Sequence, residues 1–213
     1  CYLCPGNARV GGHRNPKYES TFVFENDFAA LLPDSFPGGA AGKDLLQAEP
    51  ARGVCRVVCF SPDHSLTVAR MSVDALEHVV RAWRAQYEEL SRVEWIEWVQ
   101  IFENRGEMMG ASNPHPHCQI WATGHLPVEP AKEVGPQRVH WESHGRTLLG
   151  DYLKTELESG ERLVCENDSF AVVVPFWAVW PFETLLISKR PLTAMDEMTG
   201  AEMTALASIL KDV

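Results

Sequence analysis

The chain has 213 residues, of which 45% are hydrophobic, and a formal net charge of −10 at pH 7. This length can bury a substantial core and corresponds to one or two domains. The acidic balance argues against nucleic acid as a partner, because binding to that polyanion rests on clustered Lys and Arg. The longest apolar run, Phe170 to Phe182, contains prolines and is shorter than the roughly 18 residues of a membrane span, so no membrane partner is predicted.

The cysteines are spread along the chain rather than clustered. Cys1 and Cys4 form a CxxC pair, and the others lie in apolar, strand-like segments: Cys55, Cys59, Cys118 and Cys165. This distribution is typical of a reduced, cytoplasmic protein and not of a disulfide framework. No basic flank followed by an apolar segment is present, so no secretory signal is predicted.

The first predicted elements in chain order are two short strands, Thr21 to Phe24 and Ala29 to Leu32. A loop rich in Pro, Gly and Ala follows from Pro33 to Gly53, and a third strand covers Val54 to Phe60.

A long amphipathic helix is predicted next, because apolar residues recur at spacings of three and four, with Ser72 as the N-cap. These positions are Val73, Leu76, Val79, Val80, Trp83, Tyr87, Leu90 and Val93. Strands are then predicted at Trp98 to Phe102 and Gln119 to Ala122. Residues 127–160 are polar and irregular, with helical character near Tyr152 to Leu157.

An earlier pattern then recurs. FENDFAALLPD, from Phe24, and CENDSFAVVVPF, from Cys165, share a Glu-Asn-Asp turn that leads into an apolar strand. The second copy continues to a helix with a capping box at Thr199 and Glu202. This pattern predicts an internal duplication, with chance similarity between two ordinary strand-and-helix units as the alternative. Because the second copy stops at Val213 inside its helix, we expect its last strands to be missing.

The predicted architecture is therefore an α+β fold with a mainly antiparallel sheet and flanking helices. Residues 1–126 form the first half, 127–160 a connecting segment, and 161–213 an incomplete second half.

The segment NPHPHCQ, from Asn113 to Gln119, carries the strongest chemical signal. A residue that precedes proline is pushed toward an extended conformation, and side chains two apart in an extended chain point the same way. We therefore expect His115, His117 and Gln119 to share one face, with Cys118 as a packed thiol on the other. Imidazole can act as a nucleophile or a metal ligand, and an amide can stabilise charge on a phosphoryl oxygen.

Five motifs together resemble galactose-1-phosphate uridylyltransferases, in the transferase branch of the histidine triad superfamily: CYLCPGNARV, NDFAALLPD, CFSPDH, GASNPHPHCQIWA and VVPFWAVWPFETLL. The resemblance implies two histidine-triad-like halves and a cytoplasmic homodimer of galactose metabolism, in the Leloir pathway. It also implies a ping-pong exchange of UMP between UDP-glucose and galactose 1-phosphate. Family members have further residues upstream of the CxxC pair and beyond the position of Val213.

Individual roles follow from the same resemblance. His117 matches the nucleophile that forms a covalent uridylyl–histidine intermediate, and Gln119 would contact the transferred phosphoryl group. Four more residues match substrate-binding positions: Asn104 and Ser112 near the phosphates, and Asn26 and Asp27 near the nucleoside.

Metal ligands are also implied. The spacing of Cys1 and Cys4 is that of a zinc half-site, which is weak evidence alone. The resemblance completes a closed, structural zinc site with His64 and His115, and two buried thiols with two unrelated histidines are the alternative. Glu133 matches the carboxylate of a second site, for iron or zinc, whose histidine ligands would lie after Val213.

Two other functions stay open. A sister nucleotidyltransferase or phosphorylase would use the same histidine on ADP-sugars or dinucleotide polyphosphates. A non-enzymatic zinc-binding domain would explain the cysteines but would leave His117 and Gln119 without a purpose.

Overall fold

The computed structural model describes residues 1–34, 45–46, 48–111 and 113–213. They divide into two compact units, one made of residues 1–67 and 82–127 and the other of residues 68–81 and 128–213. Each unit contains an antiparallel sheet, which confirms the predicted α+β class with flanking helices. In the ranges that are described, no helix is both long enough and apolar enough to cross a membrane.

The first unit is built on a four-stranded sheet in the order β1-β2-β4-β3. Its strands are β1 (Phe22–Glu25), β2 (Gly53–Cys59), β3 (Trp98–Phe102) and β4 (His117–Thr123). The central strand β4 places His117 opposite Cys59 and Gln119 opposite Val57. Since side chains alternate along a strand, His117 and Gln119 lie on one face and Cys118 on the other.

Helix α1 (Val73–Ser91) begins as predicted, because the Ser72 hydroxyl accepts a hydrogen bond from the Ala75 N–H at 3.2 Å. In the first unit, its Trp83 lies against the face of the sheet that carries Cys118. The indole N–H donates to Cys118 Sγ at 3.2 Å, and the ring meets Phe60 edge-on. Burial raises the pKa of the Cys118 thiol to about 12, so this cysteine is a protonated core residue.

Two local predictions are wrong. Residues 29–32 do not form a strand. The Ala29 N–H instead bonds to the Asn26 carbonyl in a turn, and Leu32 makes only an isolated bridge to Arg52. The Asn26 side chain accepts from the Phe28 N–H at 3.0 Å, so local side-chain bonding continues the turn where apolar composition favoured a strand.

The connecting segment is also not irregular, since it forms α2 (Val128–His144) and α3 (Leu148–Ser159). Only its predicted helical character near Tyr152 to Leu157 is confirmed, within α3. None of the described residues of α2 is buried. A helix without a buried face needs no apolar residues at spacings of three and four, so its sequence lacks the pattern that would have predicted it. Helix α3 has an N-cap at Thr147 and ends at Gly160, whose φ of 68° is the left-handed conformation that favours glycine.

The second unit has a three-stranded sheet in the order β5-β6-β7, made of β5 (Leu163–Glu166), β6 (Phe170–Val173) and β7 (Leu185–Ser188). Its last helix, α4 (Gly200–Asp212), begins with the predicted capping box of Thr199 and Glu202. Because the strand β6 has no strand counterpart at residues 29–32, the two proposed copies differ here. The duplication and the boundaries at residues 126 and 160 stay predictions.

Candidate active site and metal cluster

His117 is the first residue of β4 and is half-buried. Its Nδ1 atom lies 2.7 Å from the carbonyl oxygen of His115. A carbonyl oxygen can only accept, so Nδ1 of a neutral His117 carries the proton. The lone pair of the ring is then on Nε2, which is the form that a nucleophilic imidazole requires.

Gln119 lies two residues along the same strand and face. Its Oε1 atom lies 3.3 Å from the indole N–H of Trp121 and 3.4 Å from Nδ2 of Asn26. Because indole nitrogen is only a donor, the contact with Trp121 assigns Oε1 to that side of the amide. The Nε2 group of Gln119 is therefore available to donate elsewhere.

Both side chains line a cavity of about 500 Å³. Its other polar lining comes from Tyr2, Asn26, Asp27 and Asn113, and its apolar lining includes Phe24, Phe28 and Val57. A concave site with apolar walls and a few convergent polar groups suits a small organic ligand with a planar and a charged part. The amide of Gln119 and the imidazole of His117 would face the charged part.

Asp27 is held firmly beside this cavity. Its Oδ2 accepts from the Tyr2 hydroxyl at 2.5 Å and from Nη1 of Arg9 at 2.7 Å. The Arg9 and Asp27 side chains are only 10% and 11% exposed, and the guanidinium also lies over the Phe24 ring, 3.9 Å from its centroid. Burial and the hydrogen bond to Asp27 raise the pKa of Tyr2, so its hydroxyl stays a donor.

The predicted metal ligands come together. One ligand atom from each of Cys1, Cys4, His64 and His115 lies within 4.8 Å of the others. Nδ1 of His115 is 3.6 Å from Cys1 Sγ and 3.8 Å from Cys4 Sγ, and Nδ1 of His64 is 3.2 Å from Cys4 Sγ. Tetrahedral zinc with its usual bond lengths separates sulfur and nitrogen ligands by about 3.6 Å, so the cluster has the size of a metal site.

The buried ring of His115 is oriented for such a site. Its Nε2 atom lies 2.8 Å from the Ser61 carbonyl oxygen, so Nε2–H donates there and the Nδ1 lone pair faces the thiols. Burial lowers the pKa of His115, which favours the neutral form that binds metal. The ring therefore points into the Cys/His cluster, while the carbonyl of the same residue contacts His117.

The remaining predicted site residues are placed differently. Asn104 is exposed and lines a smaller cavity of about 40 Å³ that also touches His115 and His117. Ser112 lies outside the described residues. Glu133 is exposed on α2 in the other unit. Across the described part of the chain, the Cys/His cluster is the only group of three or more such metal-binding side chains, and Glu133 does not belong to one.

Four residues beside the site were not identified from the sequence: Tyr2, Arg9, Asn113 and Trp121. Asn113 lines the main cavity and accepts from Cys1 Sγ at 3.2 Å, and its place in the NPHPHCQ segment was an available signal. Tyr2 lies inside the CxxC pair, but nothing in that spacing indicates where its hydroxyl points.

Comparison with known proteins identifies the family. Residues 1–127 match the N-terminal domain of galactose-1-phosphate uridyl transferase, and residues 133–213 match the C-terminal domain of the same family. The chain belongs to the galactose-1-phosphate uridyl transferase family.

Individual relatives agree with this assignment. The galactose-1-phosphate uridylyltransferase of Haemophilus influenzae is 46% identical over 211 residues, covering 99% of this chain and 60% of that protein. The one from Rattus norvegicus is 47% identical over 209 residues, covering 98% of this chain and 55% of that protein. A solved uridylyltransferase structure is 25% identical with a TM-score of 0.87, covering 99% of this chain and 65% of the other. The chain thus spans less than two thirds of the length of these relatives.

Proposed function

We propose that the whole protein transfers UMP between UDP-glucose and galactose 1-phosphate, and that this chain supplies the nucleophile. The observation that carries the proposal is His117, with its Nε2 lone pair free, beside Gln119 in a cavity that can hold a nucleotide. The curated relatives with the name galactose-1-phosphate uridylyltransferase support this choice of substrates.

The first half of the reaction uses His117. Its Nε2 lone pair attacks the α-phosphorus of UDP-glucose, and the bond from that phosphorus to the bridging oxygen breaks. The electron pair leaves with that oxygen as glucose 1-phosphate, and a uridylyl–histidine remains. The Nδ1–H bond to the His115 carbonyl persists throughout and stabilises the positive charge that the ring gains.

The second half reverses this chemistry with the other sugar. A phosphate oxygen of galactose 1-phosphate attacks the same phosphorus, and the phosphorus–nitrogen bond breaks. The electron pair returns to Nε2, so UDP-galactose leaves and neutral His117 is restored. One site thereby serves two similar sugar phosphates in turn.

The other polar residues would bind substrate. Gln119 would donate from Nε2 to a non-bridging oxygen of the transferred phosphoryl group, where charge develops. Asn26 and Asp27 would contact the nucleoside, and Asn104 and Ser112 would contact the phosphates.

The metal in the Cys/His cluster would be zinc, because two thiolates and two imidazoles are its typical ligand set. Zinc with four protein ligands has no open position and is structural. It would fix His115, whose carbonyl orients His117. A second metal, iron or zinc, would bind Glu133 in the full-length protein.

The assembly would be a homodimer in the cytoplasm. The cysteine distribution, which is not that of a disulfide framework, supports a reducing compartment. Apolar side chains are exposed along one segment of the second unit, which supports burial against another chain: Phe176, Trp177, Val179, Trp180 and Phe182. Light scattering on the full-length protein should give the mass of two chains.

Single-turnover labelling tests the chemistry. Full-length protein given UDP-glucose labelled at the α-phosphate, without acceptor, should release up to one glucose 1-phosphate per site and keep the label on His117. The adduct should be labile to acid and resistant to base, as expected for a phosphorus–nitrogen bond. His117→Ala should abolish labelling.

Four outcomes would contradict the proposal. Label that appears only when both sugars are present would exclude a ping-pong route. Label on Cys118 would show that this thiol, and not His117, is the nucleophile. Faster labelling from ADP-glucose would favour the sister activity on ADP-sugars, and no labelling from any nucleotide would favour a non-enzymatic metal-binding domain.

A further inference from the structure

Tyr2 links the Cys/His cluster to the cavity. It lies inside the CxxC pair, between Cys1 and Cys4, and its hydroxyl donates to Oδ2 of Asp27 at 2.5 Å. Asp27 lines the cavity together with His117 and Gln119. One side chain therefore joins the loop that carries two metal ligands to a carboxylate at the proposed nucleoside end of the site.

The backbone of this loop is stabilised by hydrogen bonds from a buried side chain. Nδ2 of Asn15, which is 2% exposed, donates to the carbonyl oxygens of Tyr2 at 2.9 Å and Cys4 at 3.0 Å. The Val10 N–H donates to the Tyr2 hydroxyl oxygen at 3.1 Å, so the hydroxyl proton is directed to Asp27. The position of the hydroxyl is thus set by the loop and not by solvent.

Arg9 and Tyr2 act on the same oxygen of Asp27 in different ways. Arg9 forms an ion pair with the largely buried carboxylate, with Nη1 at 2.7 Å from Oδ2. The Tyr2 hydroxyl adds a second fixed bond to Oδ2, and two bonds from different directions restrict rotation of the carboxylate. Without this hydroxyl, the carboxylate would keep its ion pair with Arg9 but would lose one of the two partners that orient it.

We propose that Tyr2 is a positioning residue, which holds the Asp27 carboxylate so that it accepts hydrogen bonds from the ribose hydroxyls of the nucleotide. This inference rests on the proposed function, in which Asp27 contacts the nucleoside. Carboxylates are well suited to this task, because ribose hydroxyls are paired donors that an ionised acceptor recognises. Metal in the Cys/His cluster would support nucleotide binding through this contact.

The experiment measures binding of UMP and of 2′,3′-dideoxy-UMP to the metal-loaded, full-length protein by calorimetry. The variants are Tyr2→Phe, Asp27→Asn and the double substitution. Tyr2→Phe should weaken UMP binding by roughly tenfold, as expected for a lost hydrogen bond to a charged group, with metal content unchanged. Binding of the dideoxy nucleotide should change little, so the preference for ribose should fall.

The double substitution separates positioning from a general structural effect. If Tyr2 acts through Asp27, adding Tyr2→Phe to Asp27→Asn should weaken UMP binding no further. Tyr152→Phe is the matched control, since its hydroxyl accepts from the Phe176 N–H within the second unit. It should leave the binding of both nucleotides unchanged.

Failure of this inference is distinguishable from failure of the proposed function. If the parent protein binds UMP but Tyr2→Phe keeps the same ribose preference, or the two substitutions add independently, Tyr2 has no positioning role. If the parent protein neither binds UMP nor transfers it, the proposed function itself is wrong. Because ribose preference is a ratio within one variant, partial loss of folded Tyr2→Phe protein does not alter the readout.

Discussion

The carbonyl oxygen of His115 contacts Nδ1 of His117 at 2.7 Å, while the His115 ring lies in the Cys/His cluster. One residue is therefore both a member of the metal cluster and the hydrogen-bond acceptor that selects the tautomer of the proposed nucleophile. Backbone and side chain of His115 have separate tasks, because the side chain can be held by metal while the carbonyl stays free to accept.

The first prediction concerns this tautomer. In protein with ¹⁵N-labelled histidine, the neutral form of His117 should carry its proton on Nδ1 and none on Nε2. Two-bond proton–nitrogen correlation spectra distinguish the two nitrogens, and His117→Gln identifies the signal. A signal with the proton on Nε2 would contradict the hydrogen bond to His115.

The second prediction concerns the metal. Protein purified without added metal should contain about one zinc per chain in this cluster. Cys4→Ser should lower the zinc content and the melting temperature, because metal binding stabilises the folded state. Elemental analysis and thermal unfolding measure both quantities.

Cys165→Ser is the matched control, since Cys165 is a free thiol of the second unit outside the cluster. It should keep its metal. Equal zinc contents in the Cys4→Ser and Cys165→Ser proteins would exclude the Cys/His cluster as the zinc site.

The third prediction concerns Gln119. Gln119→Ala should retain the labelled intermediate but slow its formation by on the order of 10²-fold, if the amide stabilises charge as other oxyanion donors do. Rapid-quench measurement of glucose 1-phosphate release gives the rate. Gln100→Ala, at an exposed position of the neighbouring strand β3, should keep the parent rate. A Gln119→Ala rate within about twofold of the parent rate would exclude this role.

The fourth prediction concerns Cys118, the neighbour of the proposed nucleophile. Burial raises its pKa to about 12, so almost none of it is thiolate at neutral pH. Cys118→Ala should therefore keep the labelled intermediate and lose stability by about 1 kcal/mol through lost packing against Trp83. Chemical denaturation and the labelling assay measure the two effects, and loss of labelling in a folded variant would contradict the packing role.

The fifth prediction concerns acid stability of the second unit. Glu202 accepts from Nε and Nη2 of Arg190 and from the Thr199 N–H, and the Arg190 bond is the largest reason that its pKa is lowered to about 2. A carboxylate with a lowered folded-state pKa stabilises the protein above its ordinary pKa of about 4.3, and this contribution is lost as the pH falls toward about 2. Glu202→Gln should remove about 2 kcal/mol at neutral pH.

Urea unfolding at several pH values tests the direction in which the free energy of unfolding changes with pH. The parent protein should lose stability between about pH 5 and pH 2 more steeply than Glu202→Gln, because only the parent must protonate this carboxylate. Glu158→Gln, whose side chain is 68% exposed, should follow the parent curve. Parallel curves for the Glu202→Gln and parent proteins would show that the ion pair with Arg190 has no net effect.

The sequence by itself was sufficient to predict those elements whose structure depends on interactions between neighbouring residues. The helix α1 with its Ser72 cap, the capping box of α4 and the strand β3 follow from periodicity and capping, which depend on neighbouring residues only. The α+β class follows from the same elements in order. The family also follows from the sequence, because the motifs that carry the resemblance are contiguous.

Other features were decided by tertiary structure. Residues 29–32 are as apolar as a strand, yet they follow a turn in which Asn26 accepts from the Phe28 and Ala29 N–H groups, and only Leu32 makes an isolated bridge. Helix α2 buries none of its described residues and so has no apolar period to detect.

The arrangement of the site has the same origin. The sequence predicts that His117 and Gln119 share a face, but only the fold brings Tyr2 and Arg9 to Asp27, across 25 and 18 positions of the chain. Alternation along a strand is a property of consecutive residues, whereas contacts between loops depend on how strands pair and close in space. That pairing, and not the local sequence, brought the other cluster ligands to the His115 side chain and the other cavity residues to the His117 side chain.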